Sequence, residues 1–167
     1  MEKSLVIDVA RLDRDGEEFE GVLDDAVLDL HDEYLHPFAG IRYRLAVQLA
    51  GRELLVRGTL EQDFEAVCSR CGADFDFTVA VPDFLASLET DEKTEFADLT
   101  DELRQSIILA LPTYPVCRAD CRGVCPTCGK NLNEGPCACV HEERDGRWGA
   151  LDALLPGTEK LRKKERE

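Results

Sequence analysis

Residues 52–81 read RELLVRGTLEQDFEAVCSRCGADFDFTVAV, two alternating runs on either side of a cysteine turn. RELLVRGTLEQDFEAV alternates apolar and polar side chains up to Cys68. After the turn, Phe75, Phe77 and Val79 share one face and Asp74, Asp76 and Thr78 the other. A period of two is that of a half-buried strand, because successive side chains of extended backbone point to opposite faces. CSRCG therefore sits between two antiparallel strands, and Pro82 is expected to end the second. IRYRLAV, residues 41–47, has the same period, with Gly51 separating it from the next run. Strands joined this way give a mainly β member of the α+β class. The expectation is an antiparallel sheet or open barrel, one or two helices and a cysteine-rich carboxy-terminal segment.

The remaining elements follow from the same patterns. SLVIDVA, residues 4–10, is rich in β-branched and aliphatic side chains and predicts a strand, followed by a charged turn at 13–18. Residues 17–30, EEFEGVLDDAVLDL, fit strand pieces or a short helix. The acidic stretch 88–98 reads as a loop. LTDELRQSIILA, residues 99–110, predicts a helix: Asp98 or Thr100 can cap it, and Asp101 and Glu102 suit its positive start. Leu103, Ile107 and Leu111 form its core face, Ile108 and Leu109 widen that face, and Pro112 stops it. RWGALDALL, 147–155, predicts a short amphipathic helix. TEKLRKKERE is a charged tail.

The totals limit the function classes. A chain of 167 residues with 44% hydrophobic content suits one domain with a small appendage. No apolar run approaches a membrane span, and MEKSLVIDVARLDRDG turns charged too soon for a secretory signal, so a cytoplasmic protein is expected. Residues 1–116 carry 10 Lys/Arg against 26 Asp/Glu, a net charge of −16, whereas residues 117–167 carry 10 against 9, a net of +1. The acidic part repels a polyphosphate, and its carboxylates serve either as a solvated surface or as one that prefers basic protein partners. In the tail, Lys160, Arg162, Lys163, Lys164 and Arg166 can touch RNA phosphates or serve only to solvate it.

Eight cysteines form four short chelating pairs: Cys68-x2-Cys71, Cys117-x3-Cys121, Cys125-x2-Cys128 and Cys137-x-Cys139. Thiolates three residues apart in a tight turn grip one ion, and a following glycine, as in CSRCG and CPTCG, lets the backbone turn beneath it. In a reducing compartment such clusters point to metal rather than disulfides. Two quartets use each cysteine once. Cys125, Cys128, Cys137 and Cys139 make a local site, and Cys68, Cys71, Cys117 and Cys121 a long-range one, giving two structural zinc ions. A second grouping takes Cys117, Cys121, Cys125 and Cys128 together and leaves four free or disulfide-linked thiols; spacing leaves both open.

Other chemistry is sparse. His31 and His36 flank acidic residues in what reads as a polar turn before Pro37. His141 is a surface histidine or a substitute ligand. A thioredoxin-like centre needs its CxxC at a helix start, which neither pair offers. No glycine-rich phosphate loop or nucleophile elbow appears.

CSRCG after an alternating strand, a helix ending in IILALPTYPVC, then DCRGVCPTCGKNLNEGPCAC and RWGALDALL: this order resembles the bacterial YceD family, the large ribosomal RNA subunit accumulation proteins. The resemblance implies a non-enzymatic role in accumulation, processing or maturation of large-subunit (23S) ribosomal RNA, and hence in ribosome biogenesis. It implies a gene placed beside that of a small zinc-containing ribosomal protein. By position it carries over the eight cysteines and no catalytic residue. The expected partner is large-subunit ribosomal RNA or its precursor, met directly or through a basic ribosomal protein, with no membrane. Competing expectations are a thiol-redox or metal-dependent enzyme, or a zinc-stabilised interaction module in another pathway. The chain is expected to divide into an acidic β-rich domain at 1–116, a cysteine-rich segment at 117–155 packed on it, and a flexible tail at 156–167.

Overall fold

Residues 3–13, 15–91 and 93–139 are described by the computed structural model. The helix expected at 147–155, the tail and His141 lie outside them. Strands β2 (Glu17–Leu23), β3 (Leu35–Ala50), β4 (Glu53–Val67) and β5 (Asp74–Glu89) form an open antiparallel sheet in the order β2-β3-β4-β5. Strands β1 (Val6–Asp8) and β6 (Phe96–Asp98) pair as a second, two-stranded sheet. Helix α1 spans Thr100–Ala110. The architecture is mostly β with one helix among the described residues, and neither sheet closes into a barrel.

The period of two selects the core face. Along β4, Leu54, Val56, Leu60, Phe64 and Ala66 are buried, while Glu53, Leu55, Arg57, Thr59, Glu61 and Glu65 face outward. Tyr43, Leu45 and Val47 of β3 meet Leu60, Gly58 and Val56 in register. Leu5, Ile7, Ala97, Leu99, Leu103 and Ile107 cover this apolar face from the small sheet and α1. At Gly58 the strands press together so closely that an added Cβ would lie 2.0 Å from the Arg44 carbonyl oxygen.

Several expectations are corrected. β5 continues through Pro82 to Glu89. It is an edge strand, and its pairing with β4 shifts between Gly58 and Leu60, so the residue lacking an N–H lies at a bulge on an edge. β3 begins at Leu35, so residues 35–40 are strand and only residues 31–34 of the expected polar turn precede it, with Tyr34 N–H donating to Asp32 Oδ1 at 2.7 Å. Ala39 and Gly40, at φ +65° and +77°, form an irregularity within it. The buried Gln62 amide bridges that irregularity, donating to the Phe38 and Asp63 carbonyls, both at 2.8 Å. The segment 17–30 splits into β2 and a 3-10 turn at Asp25–Leu28. The first strand covers only Val6–Asp8 and passes into a 3-10 turn at Val9–Arg11. The acidic stretch 88–98 is not all loop, because β5 ends at Glu89 and β6 begins at Phe96.

Helix α1 sits where the sequence pattern places it. Asp98 Oδ1 accepts from the Thr100 amide at 2.9 Å, and the Thr100 hydroxyl accepts from Leu5 N–H at 2.9 Å, tying the helix start to the amino-terminal strand. Leu103 and Ile107 are fully buried, but Leu109 is 85% exposed and Ile108 only half-buried, so the core stripe is narrower than expected. The chain turns extended at Leu111 and runs back to the tip of the β4–β5 hairpin.

Candidate metal centres

The cysteine turn after β4 is locally determined. Cys68 N–H donates to the Ala73 carbonyl at 2.8 Å, and Gly72 N–H donates to the Cys68 carbonyl at 2.9 Å. The second CxxCG repeats this: Cys125 N–H donates to Lys130 O at 2.8 Å and Gly129 N–H to Cys125 O at 2.8 Å. Gly72 and Gly129 adopt φ +69° and +72°, where a Cβ is strained, so the glycine after each pair is a conformational requirement. Thr127 and Cys128 N–H groups point at Cys125 Sγ at 3.4 and 3.5 Å.

Tertiary structure then collects the pairs. The segment leaving α1 docks on the hairpin tip through Ser69 N–H to Pro115 O at 2.9 Å. This brings Cys117 and Cys121 to Cys68 and Cys71 across 46 to 53 positions of sequence: Cys71 and Cys117 Sγ are 3.8 Å apart, Cys68 and Cys121 Sγ 3.9 Å. Arg70 donates to the Ala119 and Cys121 carbonyls at 3.3 and 3.4 Å. Cys125, Cys128, Cys137 and Cys139 gather as the second group, and in each group the four Sγ atoms lie within 4.8 Å of one another. The long-range and local quartets are the ones brought together. The grouping of Cys117, Cys121, Cys125 and Cys128 is not among the four-thiol clusters of the described residues.

The spacing fits a tetrahedral ion. Metal–sulfur bonds of about 2.3 Å place sulfurs about 3.8 Å apart in a regular tetrahedron. No disulfide joins any of the eight thiols. Within each group the acidities are pulled apart. Burial pushes the Cys68 thiol up, but the N–H groups of Cys117, Cys71 and Arg70 outweigh it and leave it at about 6. Cys117 is pushed up to about 12 by burial and by neighbouring thiols. In the second group the Cys128 N–H chiefly brings Cys125 down to about 6, while the Cys128 thiol chiefly holds Cys139 up at about 12. Clustered thiols resist joint ionisation, and a dication relieves that repulsion.

Sequence reasoning missed Asn133. Its Nδ2 donates to Cys121 Sγ at 3.3 Å, and this bond is the chief reason the Cys121 thiol is held below its usual range. Only the folded loop, not the spacing of residues, reveals it. His31 is surface-exposed and pairs with Asp29 at 3.1 Å, and His36 is exposed on β3. Neither joins a metal-binding cluster among the described residues.

Fold and site together define a β-sheet protein carrying two four-cysteine clusters able to hold metal ions. The family model described as "Large ribosomal RNA subunit accumulation protein YceD" matches residues 80–155. An uncharacterized protein of Mycobacterium tuberculosis is 35% identical, over 95% of this chain and 85% of its own length. An uncharacterized protein of Mycobacterium leprae is 30% identical over 70% of this chain and 60% of its own. The chloroplastic "Large ribosomal RNA subunit accumulation protein YCED homolog 1" of Arabidopsis thaliana is 34% identical over 41% of this chain and 20% of its own. Residues 80–155 of the chain belong to the YceD family. No solved structure matches it. No described helix is long and apolar enough to cross a membrane.

Proposed function

We propose that this protein is a non-enzymatic cytoplasmic factor in the accumulation of large-subunit ribosomal RNA, and that two structural zinc ions fix its cysteine-rich segment. Membership of the YceD family carries the functional part. The two four-cysteine clusters support the structural part. Four thiolates around one zinc leave no position for water or substrate, so such an ion shapes the chain rather than performing hydrolysis. Cys68, Cys71, Cys117 and Cys121 would hold one ion, and Cys125, Cys128, Cys137 and Cys139 the other. The division of the chain at 116/117 follows the same logic, with the second part held to the first through the first ion.

The charge of −16 over residues 1–116 favours a basic ribosomal protein as the partner held by the sheet domain. Direct RNA contact would fall to the segment after Val116, whose described part carries Arg118, Arg122 and Lys130 against Asp120 and Glu134.

Depletion of the protein tests the reading. The expected result is a fall in mature large-subunit RNA relative to small-subunit RNA, with a depleted large-subunit peak in sedimentation profiles. Unchanged RNA ratios and unchanged profiles would refute it.

A further inference from the structure

We infer that Asn133 joins the two cysteine clusters into one cooperative unit, acting as a positioning residue through which loading of either centre strengthens metal binding at the other. The inference rests on the reading of both clusters as metal centres. Its basis is an asymmetry of connection. Asn133 belongs to the loop between Cys128 and Cys137, whose two ends are members of the second cluster, yet its side chain serves the first.

The hydrogen-bond capacity of this amide is used in full. Nδ2 donates to Cys121 Sγ at 3.3 Å and to Asn131 Oδ1 at 2.8 Å. Oδ1 accepts from the Arg122 amide at 2.9 Å and from the Arg118 guanidinium at 2.8 Å. Two donors and two lone pairs thus have four partners, and three of these, Cys121, Arg122 and Arg118, belong to the first cluster's second arm. The loop is held against that arm by Leu132 N–H to Gly123 O at 2.9 Å and by a bridge between Val124 and Asn131.

An ion in the second cluster pins both ends of this loop and so lowers the entropy lost when Asn133 is placed against Cys121. The placed amide donates to a thiolate, which stabilises its charge and fixes the sulfur's direction towards an ion. Linkage requires the reverse as well: an ion held by Cys121 orients Asn133 and through it the loop ends. Arg70 adds rigidity, since it ties the hairpin turn to the same arm at the Ala119 and Cys121 carbonyls.

The test uses the purified full-length chain, Zn2+ in competition with a chromogenic chelator, and Co2+ for its thiolate charge-transfer absorption. Native mass spectrometry counts ions per chain. The wild type should hold two ions, and as they are removed the one-ion species should peak at about a quarter of the chains, against about half for two equal independent centres, as a tenfold coupling requires. Removing the second centre by Cys137→Ser with Cys139→Ser should weaken the first by about tenfold, within the usual range of coupling. Asn133→Asp keeps an acceptor for Arg122 and Arg118 but loses the donor to Cys121. It should weaken the first centre by roughly 10–100-fold and shift its Co2+ band, whereas a purely structural role for the loop would leave the band unmoved. Added to the Asn133→Asp variant, the two serine substitutions should cause no further loss at the first centre. Independent loss of two ions, or an unmoved Co2+ band in Asn133→Asp, would overturn the inference alone. A wild type that binds no ion would overturn the metal reading and the inference with it.

Discussion

Replacing Cys117 by serine should unfasten the cysteine segment from the sheet, and the size of the effect can be worked from the chain. Cys71 and Cys117 are 46 positions apart and their Sγ atoms 3.8 Å apart. An ion shared by them cross-links a loop that contains all of β5, β6 and α1. The chain-entropy relation for a cross-link of this span gives about 4 kcal/mol of stabilisation at room temperature. The apparent free energy of binding a structural zinc, about 10–16 kcal/mol in small fingers, is large enough to supply it. For a chain of this size each kcal/mol moves the thermal midpoint by about 2–4 °C, so the expected fall is about 8–16 °C.

The assay is thermal unfolding followed by far-ultraviolet dichroism and calorimetry, with ion content measured on the same samples. Cys139→Ser is the contrast, because the second cluster closes only a local loop. Its effect on the β core should be limited to the tenfold weakening passed through Asn133, about 1.4 kcal/mol. A Cys117→Ser protein that has lost one ion yet unfolds within about 2 °C of the wild type would refute the fastening role. Equal losses from Cys117→Ser and Cys139→Ser would refute the assignment of long-range and local roles.

Two further predictions concern the sheet. Gly58→Ala would place a methyl 2.0 Å from the Arg44 carbonyl oxygen, so the strands must part, at a cost of about 1–3 kcal/mol in denaturant unfolding; an unchanged midpoint would show that β3 and β4 are not so close. Asp63 is held below its usual carboxylate range, chiefly by the Arg42 guanidinium at 2.7 Å and then by the Thr78 hydroxyl. A carboxylate with a lowered folded pKa adds stability that is complete above its unfolded value of 3.8 and is lost as pH falls through the folded value. Asp63→Asn should therefore cost about 1 kcal/mol or less at neutral pH, given the partial exposure of the pair, and the gap from wild type should close as unfolding is repeated at pH values below 3.8. A gap unchanged through that range would exclude the ion pair as its cause.

The hairpin and its cysteine turn were legible because alternation and CxxCG are local signals. The exact reach of the strands was not. Pro82 reads as a stop in sequence, and only the edge position of β5 and the bulge there allow the strand to pass it. The start of β3 was hidden by Pro37 and by the irregularity at Ala39 and Gly40, which break the alternation without ending the strand. Leu109 looked like core because it is apolar in an apolar run, but its azimuth on α1 points it away from the sheet. The two quartets could be found by counting ligands in fours, since a tetrahedral ion imposes that number. Asn133 could not, because its contact with Cys121 depends on how the 129–136 loop folds over a segment that the sequence leaves unplaced.

The position of the first cluster also bears on what the sheet can touch. Glu61, Asp63, Glu65, Asp74 and Asp76 occupy the outward face of β4 and β5 towards the hairpin tip that carries Cys68 and Cys71. Arg42 reaches across from β3 and holds Glu61 and Asp63, which leaves the other three carboxylates without a cation from it. A phosphate backbone approaching this face would meet like charge, and added salt would help rather than hinder the encounter. A lysine- or arginine-rich protein segment would meet the opposite field and be steered onto it. If the proposed zinc fastens the segment after Val116 beside this face, a basic protein and an RNA strand would be drawn to adjoining parts of one rigid body. The response of each to salt and to charge removal separates them: weakening by salt for the basic protein should vanish when Glu65, Asp74 and Asp76 are neutralised, while RNA binding through Arg118, Arg122 and Lys130 should keep its slope. Loss of both with the acidic substitutions would mean a single interface and would refute this division of labour.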